Sequence, residues 1–131
     1  MSLQKYQEEI QTLLFEKYGS FFAYSREQYE KQAKTGTEYV NLCAGMYAPK
    51  ENAIELMAEL EKAYKNAIKQ RQNEMSNVDI IWAELANYEA QITMSIDDTW
   101  EALQDYPGIS KADVEEQYKA YYDHCVENDY F

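Results

Sequence analysis

A glutamate on an apolar helical face is the most unusual chemical feature of this 131-residue sequence. On a helical wheel at about 100° per residue, Glu89 falls within the arc of Trp82, Leu85 and Ile92, which predicts that an acid faces the core. Such a carboxylate has two explanations. It either fixes helix register through interior hydrogen bonds, or it has a raised pKa in a pocket and serves proton transfer or ligand binding.

The expected partners of this carboxylate follow from a helical hairpin that turns near residue 76. The two helices mirror each other about the turn, so Glu89 should lie beside residue 63 and next to Tyr64 or Lys65. Arg71 would be roughly 12 Å away along the axis, at about 1.5 Å per residue. The candidate buried carboxylate site therefore consists of Glu89, Tyr64 and Asn87, and Glu89→Gln should be tolerated better than Glu89→Leu.

No other residues form a catalytic signature. His124, the only histidine, is followed by Cys125, and neighbouring helical positions project about 100° apart, so the two cannot face one small substrate. The polar residues of 84–91 resemble parts of a carboxylate metal site, but the Glu-x-x-His pairing of helical di-iron proteins is missing. Phosphate loops and nucleophile elbows are also absent from the sequence. We therefore predict no enzyme activity, no catalytic residue, no metal and no cofactor.

The distribution of charge is strongly uneven. Residues 1–71 contain ten acids and ten bases, whereas residues 72–131 contain fourteen acids and two bases, so the formal charge of −12 comes from the last sixty residues. An acidic surface repels nucleic acid and instead favours cationic partners. The sequence predicts a basic protein partner and no direct nucleic-acid binding. A solvated surface that maintains solubility is the alternative explanation.

The acids of the last two predicted helices lie opposite the apolar faces of those helices. They form the predicted acidic face, which consists of Asp97, Asp98, Glu101, Asp105, Glu116, Asp123 and Glu127. Ordinary solvent faces mix signs, because like charges four residues apart are destabilising. Spaced carboxylates can occupy positions where phosphates would bind, so nucleic-acid mimicry is one hypothesis for this face.

Local signals predict a mainly α fold, a compact single-domain bundle of about five helices covering residues 1–131. Helix starts are indicated by a cap residue with Gln, Asp or Glu three positions later, at Ser25, Asn52, Ser76, Ser95 and Ser110. One of these helices is expected to run without a break over 77–94. Residues 21–24 and 38–43 are expected to form a short two-stranded β-ribbon, although 37–49 is also compatible with a loop.

Several cellular contexts are disfavoured by the sequence. It has no run of about 18 apolar residues that would span a membrane, and it begins without a basic and then apolar leader. Cys43 and Cys125 belong to no CxxC or Cys/His cluster, which favours a reducing compartment. We expect a protein of the bacterial cytoplasm without a membrane partner. The oligomeric state is left open, a homodimer included.

Three segments resemble a family of small uncharacterised proteins that phages and related mobile elements encode. The segments are FFAYSREQYEK, AGMYAPKENA and WAELANYEAQITMSIDDTWEAL, and the resemblance spans roughly residues 20–104. The sequence departs from the family pattern twice, because Cys43 occupies the first position of a Gly-Ala-Gly segment and Tyr88 replaces a histidine before Glu89. A His–Glu pair at this position would therefore lack its histidine.

The resemblance implies a phage or mobile-element origin but no activity. Combined with the charge, it leads us to expect an interaction protein that blocks a basic, nucleic-acid-handling host defence protein, as anti-CRISPR or anti-restriction inhibitors do. One alternative is a small-ligand-binding protein or accessory enzyme that uses a pocket around Glu89. Another is a phage structural or assembly factor.

Overall fold

The computed structural model describes residues 2–131, and within that range it contains seven α-helices and a three-stranded antiparallel sheet. The predicted mainly α class is confirmed, although the helices outnumber the expected five. The chain divides into two compact units, one ending at Ala67 and one running from Ile68 to Phe131. The single domain expected for 1–131 stays a prediction. No helix in residues 2–131 has the length and apolar character to cross a membrane.

The first unit combines two complete helices, the sheet and the beginning of a third helix. A single 3₁₀ turn at Lys50–Asn52 leads into that third helix, α3, which continues into the second unit. The elements are α1 (Leu3–Tyr18), β1 (Phe21–Phe22), α2 (Arg26–Gln32), β2 (Tyr39–Cys43), β3 (Met46–Pro49) and α3 (Ala53–Glu74).

The sheet has the strand order β1-β3-β2, so β3 lies in the middle. Phe21 pairs with Tyr47, and Val40 pairs with Ala48. The expected pairing of 21–24 with 38–43 is wrong, because both segments pair with β3 instead. β2 and β3 form a tight hairpin that was not predicted from the sequence, and Gly45 permits its turn with a φ of +77°.

Aromatic rings hold the sheet against α2. Phe21 stacks on Tyr47 with ring centroids 5.8 Å apart, and Tyr29 of α2 contacts Tyr47 edge-on at 4.9 Å. Tyr39 of β2 closes the cluster with an edge contact to Phe21. Aromatic pairs of this geometry contribute about 0.5–1.5 kcal/mol beyond the area that they bury. A small sheet is therefore stabilised by packing as well as by its hydrogen bonds.

The second unit is entirely helical in its regular structure. After the end of α3, α4 packs against the three helices that follow it. Its core is formed by the fully buried aliphatic side chains of Ile80, Ile81, Leu85, Leu103 and Val114. The helices are α4 (Asn77–Asn87), α5 (Ala90–Thr93), α6 (Asp97–Leu103) and α7 (Lys111–Asn128).

Three of the predicted caps are confirmed. Ser25 accepts a hydrogen bond from the backbone of Gln28, Ser76 accepts one from Asp79, and Ser110 forms a reciprocal capping box with Asp113. The cap expected at Ser95 is different, because α6 begins after Ile96 and the Ser95 hydroxyl accepts from the Asp97 backbone. The side chain of Asn52 donates to the Tyr18 carbonyl, which ties two elements of the first unit together.

The single helix expected over 77–94 is wrong. The chain leaves the helix after Asn87 and resumes one turn of helix at Ala90. Glu89 has a φ of +50° and Met94 a φ of +57°, both in the left-handed region that L-residues seldom adopt. No glycine or proline lies at this break, and the apolar periodicity continues across it, so the sequence did not indicate that the helix ends there.

Candidate functional site

The predicted acidic face is exposed in the structure. Asp97, Asp98 and Glu101 lie on α6 and Asp105 follows it, while the other three acids lie on α7. All seven are solvent-exposed, and we call them the acidic surface: Asp97, Asp98, Glu101, Asp105, Glu116, Asp123 and Glu127. Within residues 2–131, neither the three acids of α6 nor the three of α7 form an ion pair.

Four exposed ion pairs lie among the described residues of the first unit. Each joins two exposed side chains of residues 26–65, and such pairs contribute at most about 1 kcal/mol. They are Arg26–Glu30, Lys31–Glu27, Lys50–Glu38 and Lys65–Glu61. The second unit contains fourteen acids but four Lys and Arg residues, so its field is strongly negative.

The pKa of Tyr88, at the end of α4, is affected by this negative field. Burial of the ring raises the pKa of its hydroxyl, and the negative charges of Glu84, Asp98 and Glu101 raise it further. Since Asp98 and Glu101 act on the same hydroxyl, these two carboxylates and the end of α4 share one negatively charged region. This local field attracts cationic groups and disfavours anionic ones.

The predicted buried site around Glu89 is wrong. Glu89 is exposed because the helix breaks immediately before it and its backbone turns into the left-handed region. Asn87 is also exposed and donates a long hydrogen bond of 3.4 Å to Glu84. Tyr64 is half-buried on α3 in the first unit. The Glu89 carboxylate is therefore not enclosed in a pocket.

The acid that does face the core is Glu84. Its Oε1 accepts a 2.9 Å hydrogen bond from Nη1 of Arg71, and the same Nη1 donates to the Tyr106 hydroxyl at 3.0 Å. Arg71 is 1% exposed, and its Nε has no hydrogen-bond partner within residues 2–131. Burial raises the pKa of Tyr106, and the adjacent Arg71 guanidinium opposes that shift.

The spacing of Arg71 and Glu84 about the turn at residue 76 is compatible with this pair. Mirroring about residue 76 places residue 84 opposite residue 68, about 4.5 Å along the axis from Arg71 at 1.5 Å per residue. A long arginine side chain spans that offset. Because Arg71 is sealed from solvent, the pair can hold α3, α4 and the loop after α6 together, but it offers no surface to a ligand.

The remaining candidates do not add a catalytic centre. His124 is exposed and packs against Trp82 and Tyr130, with ring centroids 5.4 and 5.7 Å apart. Cys125 is buried, and Cys43 is exposed in the other unit. In the part of the chain from residue 2 onward, no three His, Cys, Asp or Glu side chains are placed to hold a metal ion. The acidic surface is therefore the feature to which a function is best assigned.

Comparison with known proteins gives a family without an assigned activity. The model of a family of unknown function, DUF7659, matches residues 3–124. The chain belongs to the DUF7659 family. In this DUF7659 member the match includes α1 and most of α7, so it extends well beyond residues 20–104, the span of the three resembling segments. No curated protein and no solved structure matches the chain.

Proposed function

We propose that this protein is a small acidic phage or mobile-element protein that acts in the bacterial cytoplasm. It binds a basic, nucleic-acid-handling host defence protein and blocks the groove in which that protein holds nucleic acid. The acidic surface carries the interaction by occupying phosphate-binding positions, as anti-CRISPR and anti-restriction inhibitors do. The protein itself binds neither nucleic acid nor membrane.

A single observation carries this proposal. Six carboxylates of α6 and α7 are exposed and form no ion pair within residues 2–131, in a unit with fourteen acids and four bases. Like charges kept close together without compensation lower stability, so a use in binding accounts for them. A partner that supplies Lys and Arg side chains would gain both association rate and specificity.

Two other functions find less support. A pocket enzyme built on Glu89 lacks an enclosed carboxylate, since Glu89 is exposed. A structural or assembly factor would multimerise through exposed aromatic side chains such as Tyr130 and Phe131. Self-association of the purified chain, measured by sedimentation, distinguishes that role from binding to a host protein.

The proposal is tested by capturing host proteins on the immobilised full chain and then challenging the complex. Captured proteins should be basic and should bind nucleic acid, and duplex DNA or RNA should displace them. Raising the salt from 0.1 to 1 M shortens the screening length from about 10 Å to about 3 Å, so capture should fall steeply.

Two charge-matched variants make the test specific. The first replaces Asp98, Glu101, Glu116 and Asp123 of the acidic surface with their amides. The second replaces four exposed acids of the first unit with glutamine, at Glu8, Glu9, Glu16 and Glu51. Both change the net charge equally, but only the first should lose capture. Equal capture by both variants, or capture insensitive to nucleic acid, would contradict the proposal.

A further inference from the structure

An apolar groove adjoins the acidic surface in the second unit. It lies between the residues that precede α6 and one side of α7, with a volume of about 570 Å³. Glu116 belongs to both the groove and the acidic surface. The groove is lined by Met94, Ile96, Ala112, Glu115, Glu116, Tyr118 and Lys119.

Met94 combines exposure with an unfavourable backbone conformation. Its side chain is 69% exposed. Its φ of +57° lies in the left-handed region, which Gly and Asn adopt readily and Met adopts rarely. Its backbone N–H donates to the Ala90 carbonyl and closes α5. Unfavourable conformations of this kind cluster at binding sites, where the fold maintains them for a purpose.

A second exposed apolar side chain lies two residues before Met94 in the sequence. Ile92 is 54% exposed and lies between the two left-handed residues Glu89 and Met94. An exposed apolar side chain that lines a groove, as Met94 does, is typical of an interaction site. The flexible thioether of methionine suits grooves that accept helices, because it adapts to the side chains that enter.

The charge around the groove indicates the chemistry of its occupant. Glu115 and Glu116 are exposed at its rim. Lys119, one turn further along α7, forms no ion pair with either of them within residues 2–131. An occupant that combines apolar side chains with positive charges would therefore match both the floor and the rim.

We propose that this groove binds a basic amphipathic helix of the partner. Aliphatic side chains spaced three or four residues apart would pack on Met94, Ile96 and Tyr118, while Lys and Arg on the flanks face Glu115 and Glu116. The inference rests on the proposed function and deepens it, because it specifies that the partner is bound through one of its helices.

The probe is a synthetic helical peptide of about 18 residues, with Leu on one face and Lys on the other. A second peptide has the same composition but distributes the Leu residues around the helix. Binding of each labelled peptide to the full chain is measured by fluorescence anisotropy. The amphipathic peptide should bind more tightly by roughly tenfold, which corresponds to burying about one aliphatic side chain.

The key variant is Met94→Asn, because asparagine adopts the left-handed region readily and should preserve the fold. It should leave the melting temperature unchanged or higher while abolishing the preference for the amphipathic peptide. Ile54→Gln is the matched control, since Ile54 is 89% exposed in the first unit, and it should keep the preference.

The outcomes separate this inference from the proposed function. Equal affinity for the two peptides, or a preference that survives Met94→Asn, would overturn the helix groove. In that case, binding that still weakens with salt and with the four-amide variant of the acidic surface would leave the proposed function standing. If neither peptide bound at low salt, or if salt and those amides had no effect, both proposals would fail.

Discussion

Arg71 and Glu84 form a buried ion pair, with 2.9 Å between Nη1 and Oε1. Removing one partner strands the other charge, so Arg71→Ala should lower the free energy of unfolding by about 3–5 kcal/mol. The double variant Arg71→Met/Glu84→Met should lose much less than the sum of the single changes. Urea denaturation followed by circular dichroism measures each value. Additive losses would mean that the two groups do not interact.

Tyr121 should make the protein sensitive to alkaline pH. Burial raises the pKa of its hydroxyl to about 12, assisted by Cys125 and by the charge of Glu89. The folded-state pKa lies above the unfolded value of about 10, so the stabilisation is complete below pH 10 and is lost as pH rises toward 12. That loss is about 2–3 kcal/mol at about 1.4 kcal/mol per unit.

Two substitutions isolate this contribution in urea denaturation between pH 8 and pH 12. Tyr121→Phe removes the titrating hydroxyl and its hydrogen bond to Gln91, so it should start lower by about 1 kcal/mol and then decline less steeply. Tyr24→Phe, at a tyrosine that is 73% exposed, should follow the wild-type slope. Parallel curves for Tyr121→Phe and wild type would assign the alkaline loss to other groups.

Glu89 should be replaceable by glycine with a gain in stability. Its left-handed φ of +50° costs an L-residue roughly 1–2 kcal/mol, which glycine does not pay, although glycine loses more chain entropy. The expected net gain for Glu89→Gly is about 0.5–1 kcal/mol. Because Glu89 is exposed, Glu89→Gln and Glu89→Leu should now melt alike. A clear advantage for Gln over Leu would indicate that the carboxylate is enclosed.

Gly45 should tolerate alanine less well than Gly36 does. Both have a positive φ, so an alanine at either position should lower the free energy of unfolding by roughly 1–2 kcal/mol through the backbone conformation alone. A Cβ at Gly45 would also overlap the ring of Tyr24, whereas a Cβ at Gly36 meets nothing within 4 Å. Thermal melting should therefore rank Gly45→Ala below Gly36→Ala. Adding Tyr24→Ala to Gly45→Ala should recover the difference, and failure to recover it would exclude the ring as its cause.

Features that depend on neighbouring residues were predictable from the sequence. The caps at Ser25, Ser76 and Ser110 form as their spacing indicated, since a cap needs one hydroxyl and one backbone N–H three residues away. Ser95 has the same spacing but a different bond, because α6 begins at Asp97 and the Ser95 hydroxyl accepts from the Asp97 backbone N–H.

The orientation of α4 was not predictable from its period alone. The wheel drawn through Trp82 and Glu89 assumed one uninterrupted helix, yet the chain turns at Glu89 and the buried face follows Ile80 and Ile81. Burial is decided by what packs on the helix, and here α5, α6 and α7 all pack on α4. The break after Asn87 exposes Glu89, and the packing of α4 places Glu84 against Arg71.

The sequence by itself determined the mainly helical class, three helix starts and the surplus of acid after residue 71, because each is a local or additive property of the residues. Tertiary structure alone decided which acid is buried and which strand lies in the middle of the sheet. It also decided that Met94 lines a groove. These depend on contacts between residues distant in sequence, and the free energy of such contacts outweighs the local preferences that a pattern records.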